Sequence, residues 1–381
     1  MKVAYIMQNY SAVSELWLQR QLQMLKDDVS FIASIDNQER YWNNEIPVVN
    51  LYSDYSFLKK ILIKLKILRV RTPQERYNDV LRKALAANCV DVIFVNYLTL
   101  AYDLKEVLLS TKIPIFIHTH GYDITWNLLS ISTGKMIYTD AYFKFVRDIS
   151  RKSVLIANSR DSKNRLLRIG VSDDNILIKR FGVSIEGLGL NNNKESIKIL
   201  YLGRLIDFKR PDLVIKAFEK ACDKGLKGEL IIAGGGYLET TCKLLQKESK
   251  YRDKIKLLGV VSSEEGKKLR RECDIFTVHN CKGILTNQCE AFGVSIIEAM
   301  SAGMPVVTGR SGGVVDSVVD RETGFLFTPG NVNEHADRLL ELAQNDELRV
   351  NMGKKGIERV KQYFSLEGEK KFLITMLNSV L

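Results

Sequence analysis

Along the first half of the chain, short apolar runs rich in β-branched residues alternate with longer polar stretches of helical period. The runs are Lys2 to Met7, Val29 to Ser34, Val90 to Val95, Ile113 to His118 and Ser153 to Asn158. Each is mainly apolar over consecutive positions rather than at every second one, as expected of strands in a parallel sheet covered by helices on both faces. After an Asn/Gly-rich stretch from Gly187 to Asn193 the pattern begins again. Strands are predicted at Ile197 to Gly203, Glu229 to Gly236, Ile255 to Gly259 and Asp274 to His279, with helices at Pro211 to Lys224, Leu238 to Glu248 and Glu264 to Glu272 between them. MPVVTG and TGFLFTPG follow.

Two such series predict an α/β protein of two Rossmann-like domains facing across a cleft. The expected divisions are 1–185, 186–362 and a terminal helix at 363–381 that packs back on the first domain. Ligands of open α/β sheets bind at the carboxyl ends of the strands, so the function is expected in the cleft.

Composition narrows the partners. The chain has 381 residues, enough for two or three domains at roughly 150 residues each. Its longest apolar runs, such as Val90 to Tyr102, fall short of the ~20 residues that span a bilayer. The N-terminus lacks the apolar core of a signal peptide, and a cytoplasmic protein is expected. Six scattered cysteines without a C-x-x-C pair read as reduced thiols. His279, Cys281 and Cys289 match no standard metal spacing and read as a loop. A net charge of +11 favours acidic partners: nucleotides, phosphosugars, anionic lipid headgroups or nucleic acid.

Candidate chemistry concentrates between Cys289 and Val307. A short apolar helix from Val294 is predicted behind Ala291, Phe292 and Gly293, ending at Gly303 and Pro305. Its N-terminal amides, with the helix dipole, can bind an anion, and Gly293 allows close approach. Glu290 and Glu298 flank that point; beside a bound diphosphate their natural partners are hydroxyls, which means sugars. In Tyr201 to Phe218 a strand ends at Gly203, and Arg204 and Lys209 emerge where fixed positive charge would stabilise a departing diphosphate. His120, Gly121 and Asp123 follow a strand of the first domain and face the presumed cleft, whereas His118 reads as packed. The glycine run Gly234 to Gly236 is a tight strand-to-helix turn, neither a P-loop nor a dinucleotide fingerprint. The chain contains no D-x-D, which disfavours a metal-bridged sugar-nucleotide site, and no metal or cofactor is expected. The stretch Ser56 to Arg71 carries six Lys/Arg and no acid on a helical period. It reads equally as a part-buried helix and as an interfacial helix on anionic lipid.

Taken in order, GRLIDFK, GGG, LGVV, EAFGVSIIE and GFLFTPG resemble the family 4 retaining glycosyltransferases of the two-Rossmann GT-B architecture, including enzymes of capsule, exopolysaccharide and lipopolysaccharide assembly. The resemblance implies that Arg204 and Lys209 bind the donor diphosphate, that Glu298 meets the ribose and Glu290 the donor sugar, and that Gly203, Val260, Phe292, Gly293 and Val294 line the donor site. It places His120 beside the donor sugar. Ser14 and Glu15 match an SE pattern that, with Asp123, borders the acceptor. A UDP-sugar is the favoured donor and a glycan or lipid-linked oligosaccharide the expected acceptor, with transfer retaining and metal-independent and the protein either free in the cytoplasm or peripheral on the inner face of the cytoplasmic membrane. An epimerase or phosphorylase on the same scaffold is the alternative. An inactive scaffold is disfavoured because every charged donor position is filled, and a nucleic-acid binder because no ribonucleoprotein or helix-turn-helix pattern is present.

Overall fold

In a computed structural model of the chain, residues 1–9, 16–35, 40–52, 64–65, 67, 69–187 and 196–379 are described. Ser14, Glu15 and most of the stretch from Ser56 to Arg71 lie outside them. The first sheet holds β1 (Val3–Met7), β2 (Val29–Ser34), β3 (Tyr41–Trp42), β4 (Ile46–Asn50), β5 (Val92–Asn96), β6 (Ile115–His118), β7 (Ser153–Ala157) and β8 (Ile176–Ile178). Its order is β3-β4-β2-β1-β5-β6-β7-β8. The second sheet holds β9 (Ile197–Leu202), β10 (Gly228–Ala233), β11 (Ile255–Gly259), β12 (Ile275–Val278), β13 (Val306–Gly309) and β14 (Gly324–Phe327), in the order β11-β10-β9-β12-β13-β14. The molecule is thus two parallel-sheet Rossmann-like domains.

The continuous apolar runs end where helices can cover both faces: β1 and β5, paired in register from Val3 against Val92, are buried at every position. Pairing is parallel except for the hairpin in which Tyr41 and Trp42 face Pro47 and Ile46. That hairpin and β8 were not expected. Two or three residues make too short a run to show a period, and Pro47 argues against a strand except at an edge.

Helices are stopped and started by local chemistry. Thr72 and Glu75 form a capping box ahead of the helix Pro73–Asn88, and Ser262 and Glu265 do the same for Ser263–Glu272. The helix Val294–Ser301 differs: its N-cap is Gly293, at φ +91°, and no side chain caps it.

Two apolar cores result. One gathers residues from Val3 to Ile176 and the other residues from Phe181 to Phe364, so the change of core falls between Ile176 and Phe181, slightly before residue 185. Leu373, Met376 and Leu377 of the helix Leu366–Asn378 belong to the first core. The last helix therefore leaves the second domain and packs beside the helix Leu16–Leu25. No helix among the described residues is long and apolar enough to cross a membrane.

In each sheet the strand order reverses once near the middle, at β1/β5 and at β9/β12, which opens a crevice beyond the carboxyl ends of those strands. The loops after β6, β9 and β12 carry the residues described next.

Candidate active site

The loop after β9 is drawn tight against the glycine turn after β10. Gly203 N–H donates to Ala233 O at 3.0 Å and Leu205 N–H to Gly235 O at 2.8 Å. Gly234 has φ +141°, and a Cβ there would stand 1.9 Å from Gly203 O, so only glycine permits this approach. The loop then divides its two cations. Arg204 is exposed, its guanidinium 5.9 Å from the Phe208 ring centre. Lys209 is buried and turns back under Gly203, its Nζ 2.6 Å from Glu290 Oε2. Burial alone would raise the Glu290 carboxyl. The Lys209 ammonium, with Arg204 and the Phe292 amide, outweighs it and holds Glu290 below the usual carboxylate range. Glu290 is an anion held by cations.

Past Glu290 the chain enters the uncapped helix. Ile296 and Ile297 N–H both donate to Gly293 O, at 3.0 and 3.4 Å, while the Val294 and Ser295 amides have no acceptor within the helix. The Phe292 ring packs between Phe181 and Phe364, with centroids 5.4 and 5.6 Å away, so only its backbone is available to a ligand. Val294 is half-buried, and Val260 is exposed beside the glycine turn, 2.8 Å from where a Cβ on Gly235 would lie. Glu298, about one turn into the helix, has Arg270 of its own domain and Arg20 of the other each at 3.5 Å.

The first domain contributes a turn after β6. Asp123 is fully buried, accepting N–H bonds from His120 and Gly121 at 2.9 Å and from Leu98 at 3.0 Å. Burial lifts its carboxyl to about 6, against the pull of these amides. Asp123 shapes the turn. Both of its oxygens face backbone inside the domain.

The turn delivers the His120 ring into a cluster with Trp17, Tyr97 and His118, at centroid distances of 4.3, 4.3 and 4.1 Å. Burial, then the nearby Lys179 charge, depresses the imidazole well below its ordinary pKa, so it is neutral. Neither ring nitrogen has a hydrogen-bond partner among the described residues. His118 is also packed, its Nε2 2.7 Å from Asn158 Oδ1. Gly121, at φ +111°, meets the second domain: a Cβ there would stand 2.8 Å from Ala291 Cβ. The His120 turn and the Glu290 loop therefore touch across the cleft. Lys209 and Arg204 act on Glu290, whose neighbour Ala291 makes that contact with the residue after His120.

Three residues there carry no motif. Arg20 and Arg270 reach Glu298, and Arg270 also pairs with Glu186 at 2.5 Å; sequence spacing does not relate these positions. Asp207, a spacer inside GRLIDFK, is buried and accepts bonds from Leu285 N–H at 2.8 Å, Thr286 N–H at 2.9 Å and Tyr237 O–H at 2.6 Å. It ties the Arg204–Lys209 loop to the loop that leads into Glu290. Nothing in the spacing of GRLIDFK signals these bonds.

The architecture and the cation-ringed helix end define the class: a two-domain protein of the glycosyltransferase GT-B fold. Residues 189–359, most of the second domain, match the family described as Glycosyl transferases group 1. Among similar proteins, the amylovoran biosynthesis glycosyltransferase AmsK of Erwinia amylovora is 27% identical over 270 residues, covering 70% of this chain and 63% of that one. The capsular polysaccharide biosynthesis glycosyltransferase CapM of Staphylococcus aureus is 26% identical over 244 residues, covering 61% and 60%. The chain thus spans less than two thirds of the length of these relatives. The structure of Anabaena HepE in complex with UDP and glucose superposes with a TM-score of 0.75 over 100% of both chains at 17% identity, a likeness of fold.

Proposed function

We propose that this protein is a retaining, metal-independent glycosyltransferase that moves a sugar from a nucleotide-sugar, a UDP-sugar foremost, to a hydroxyl of a glycan or lipid-linked acceptor in surface polysaccharide assembly. The observation that carries the reading is the Lys209–Glu290 pair, 2.6 Å apart, standing with Arg204 at the uncapped end of the helix Val294–Ser301. A diphosphate there would take the Val294 and Ser295 amides and the charge of Arg204 and Lys209. Glu290, held ionised, would accept hydrogen bonds from sugar hydroxyls, and Glu298 from the ribose. The neutral His120 ring can donate or accept at the sugar, having no competing partner among the described residues.

Retention is what the family likeness implies, and with no second carboxylate evident as a nucleophile among the described residues, front-face attack is the preferred route. Front-face attack then has the departing phosphate accept the acceptor's proton, while Arg204 and Lys209 stabilise the growing charge. HepE was captured with UDP and glucose, and AmsK and CapM are named for polysaccharide biosynthesis, which supports the donor and pathway class.

The test is thermal stabilisation by UDP-, GDP-, ADP- and CDP-sugars, with and without EDTA, followed by NMR of the product's anomeric carbon. A shift of several degrees from one nucleotide, indifferent to EDTA, and an unchanged anomeric configuration are expected. No shift from any nucleotide-sugar, or an inverted linkage, would overturn the proposal.

A further inference from the structure

The helix Leu16–Leu25 of the first domain carries over the cleft a cation that the reaction proposed above does not use. Arg20 Nη1 stands 3.5 Å from Glu298 Oε1 of the second domain, long against the ~2.8 Å of a formed charge-assisted hydrogen bond. Its Nε is buried and has no hydrogen-bond partner among the described residues. Trp17, three residues earlier on the same helix face, has its ring 4.3 Å from that of His120, so this face fronts the site. Leu18, Gln21, Leu22 and Leu25 are buried in the first domain and the last helix packs alongside. The backbone is thereby fixed, and what is left to move is the Arg20 side chain, 31% exposed.

The neighbouring cations are already engaged. Arg270 gives Nη2 and Nε to Glu186 at 2.5 and 3.2 Å, Lys179 pairs with Glu369, and Lys209 pairs with Glu290. Arg20 stands close enough to Lys179 to help depress its pKa, like charge beside like charge. A guanidinium held among cations, with one long contact to a carboxylate, is poised for a second anion. The donor would supply it. The diphosphate that joins a nucleoside to a sugar is a dianion and gains charge as it departs, whereas Arg204 and a Lys209 shared with Glu290 leave that charge under-balanced. Glu298 lies four residues past Val294 in its helix, about 6 Å along the axis, and helical side chains lean toward the N-terminus. The Glu298 carboxylate, and Arg20 with it, therefore stand beside the turn whose Val294 and Ser295 amides have no acceptor within the helix.

We propose that Arg20 is a donor ligand supplied by the first domain: when ribose hydroxyls take Glu298, its guanidinium turns from that carboxylate to a phosphate oxygen of the diphosphate. The contact between Arg20 and Glu298 is then the resting form of an exchange across the cleft, in which a carboxylate of one domain and a cation of the other part to receive the ribose and the diphosphate of one ligand. The inference rests on the function proposed above. It adds to Arg204 and Lys209 a further cation on the leaving group, and it places that cation on the opposite domain.

The experiment is isothermal titration calorimetry of the full chain with UDP and, by displacement, with uridine, which keeps base and ribose but has no phosphate. It compares the native chain with Arg20→Gln and Arg20→Lys, and circular dichroism checks the fold of each. A native chain that prefers another base is titrated with that nucleoside and its diphosphate. Arg20→Gln is expected to weaken the diphosphate about tenfold or more while the nucleoside stays within about twofold. Arg20→Lys, which keeps the charge without the planar fork, is expected to fall between the two. Equal losses for diphosphate and nucleoside would make Arg20 a support for Glu298 or for the fold and would overturn the proposal. So would a diphosphate affinity that stays the same, or one that rises because Glu298 is set free. If Arg20→Gln does not fold, Arg20→Lys decides: a loss confined to the diphosphate upholds the proposal and no such difference overturns it. Failure of the glycosyltransferase reading shows separately, as a native chain that binds no nucleoside diphosphate and no nucleotide-sugar.

Discussion

Gly330 N–H donates to Nε2 of His279 at 3.0 Å, and that one bond orders a run of buried groups. With Nε2 accepting, the His279 proton sits on Nδ1 and points at Nδ1 of His335, 3.0 Å away. His335 is then protonated on Nε2 and donates to Thr277 Oγ1 at 2.7 Å, which donates to Val307 O at 3.0 Å. A second proton on either ring would set N–H against N–H. Burial, then the nearby Arg210 charge, brings His279 down to about 4, although Asp212 pulls the other way. Burial and the His279 neighbour depress His335. Both folded pKa values lie below 6.5, so the unfolded chain takes up protons that the folded chain refuses. The stability held above pH 6.5 is thus lost as pH falls from there to about 4, by up to ~3 kcal/mol for His279. Melting temperature against pH should show that slope, and His335→Gln should flatten it; an equal slope in the variant would refute the account. At the cleft, Lys209→Met removes the partner of Glu290 and one diphosphate cation together. Calorimetry should show donor affinity reduced by about a hundredfold, ~2.7 kcal/mol.

At the scale of elements, the turns around the cleft are set by close backbone approach, which can be tested glycine by glycine. Gly225 has φ +100° with open space around its missing Cβ, so Gly225→Ala should cost only the left-handed strain of about 1–2 kcal/mol. Gly234 has φ +141° and Gly203 O at 1.9 Å from that position. Gly234→Ala should exceed the first cost by at least about 2 kcal/mol in urea unfolding and should weaken nucleotide-sugar binding too, because Gly203 carries Arg204 and Lys209 behind it. The strands of both sheets were legible as uniform apolar runs and the helix Val294–Ser301 as the segment between Gly293 and Pro305, since burial on two faces and helix termination each leave a local mark. Asp207 left none. Its work lies in bonds to Leu285 and Thr286, 78 and 79 positions away, and its own neighbours do not encode that distance. For Asp123 the position beside His120 is visible in sequence, but the inward direction of its side chain, bonded to backbone, is not. The β3–β4 hairpin was illegible because two paired residues hold no period.

At the scale of the whole molecule, a buried charge pair among the described residues ties the crossover between the domains to the returning last helix. Lys179 lies at the crossover just past β8, and its ammonium pairs with the Glu369 carboxylate on the last helix, 190 residues away. The same carboxylate accepts Gly182 N–H at 2.7 Å, so a single side chain pins both the crossover and the returning helix. Burial depresses the Lys179 pKa; Glu369 works against that and Arg20 adds to it, and Lys179 in turn lowers His120. Removing one partner strands the other charge in the interior, at about 3–5 kcal/mol, whereas removing both leaves only the loss of packing and the orphaned Gly182 amide. Lys179→Met and Glu369→Leu should therefore each destabilise strongly, and the double variant by clearly less than their sum, with a coupling of at least about 2 kcal/mol in a urea-unfolding cycle. Additive costs would mean that the pair is incidental to the joint. The charge also reaches the cleft: Lys179→Met should raise the His120 pKa in an NMR titration while leaving it below 6.5, because burial remains the larger cause. A His120 titration that does not move would separate the joint from the site, and a cycle with strong coupling beside it would leave Glu369 as a structural anchor alone.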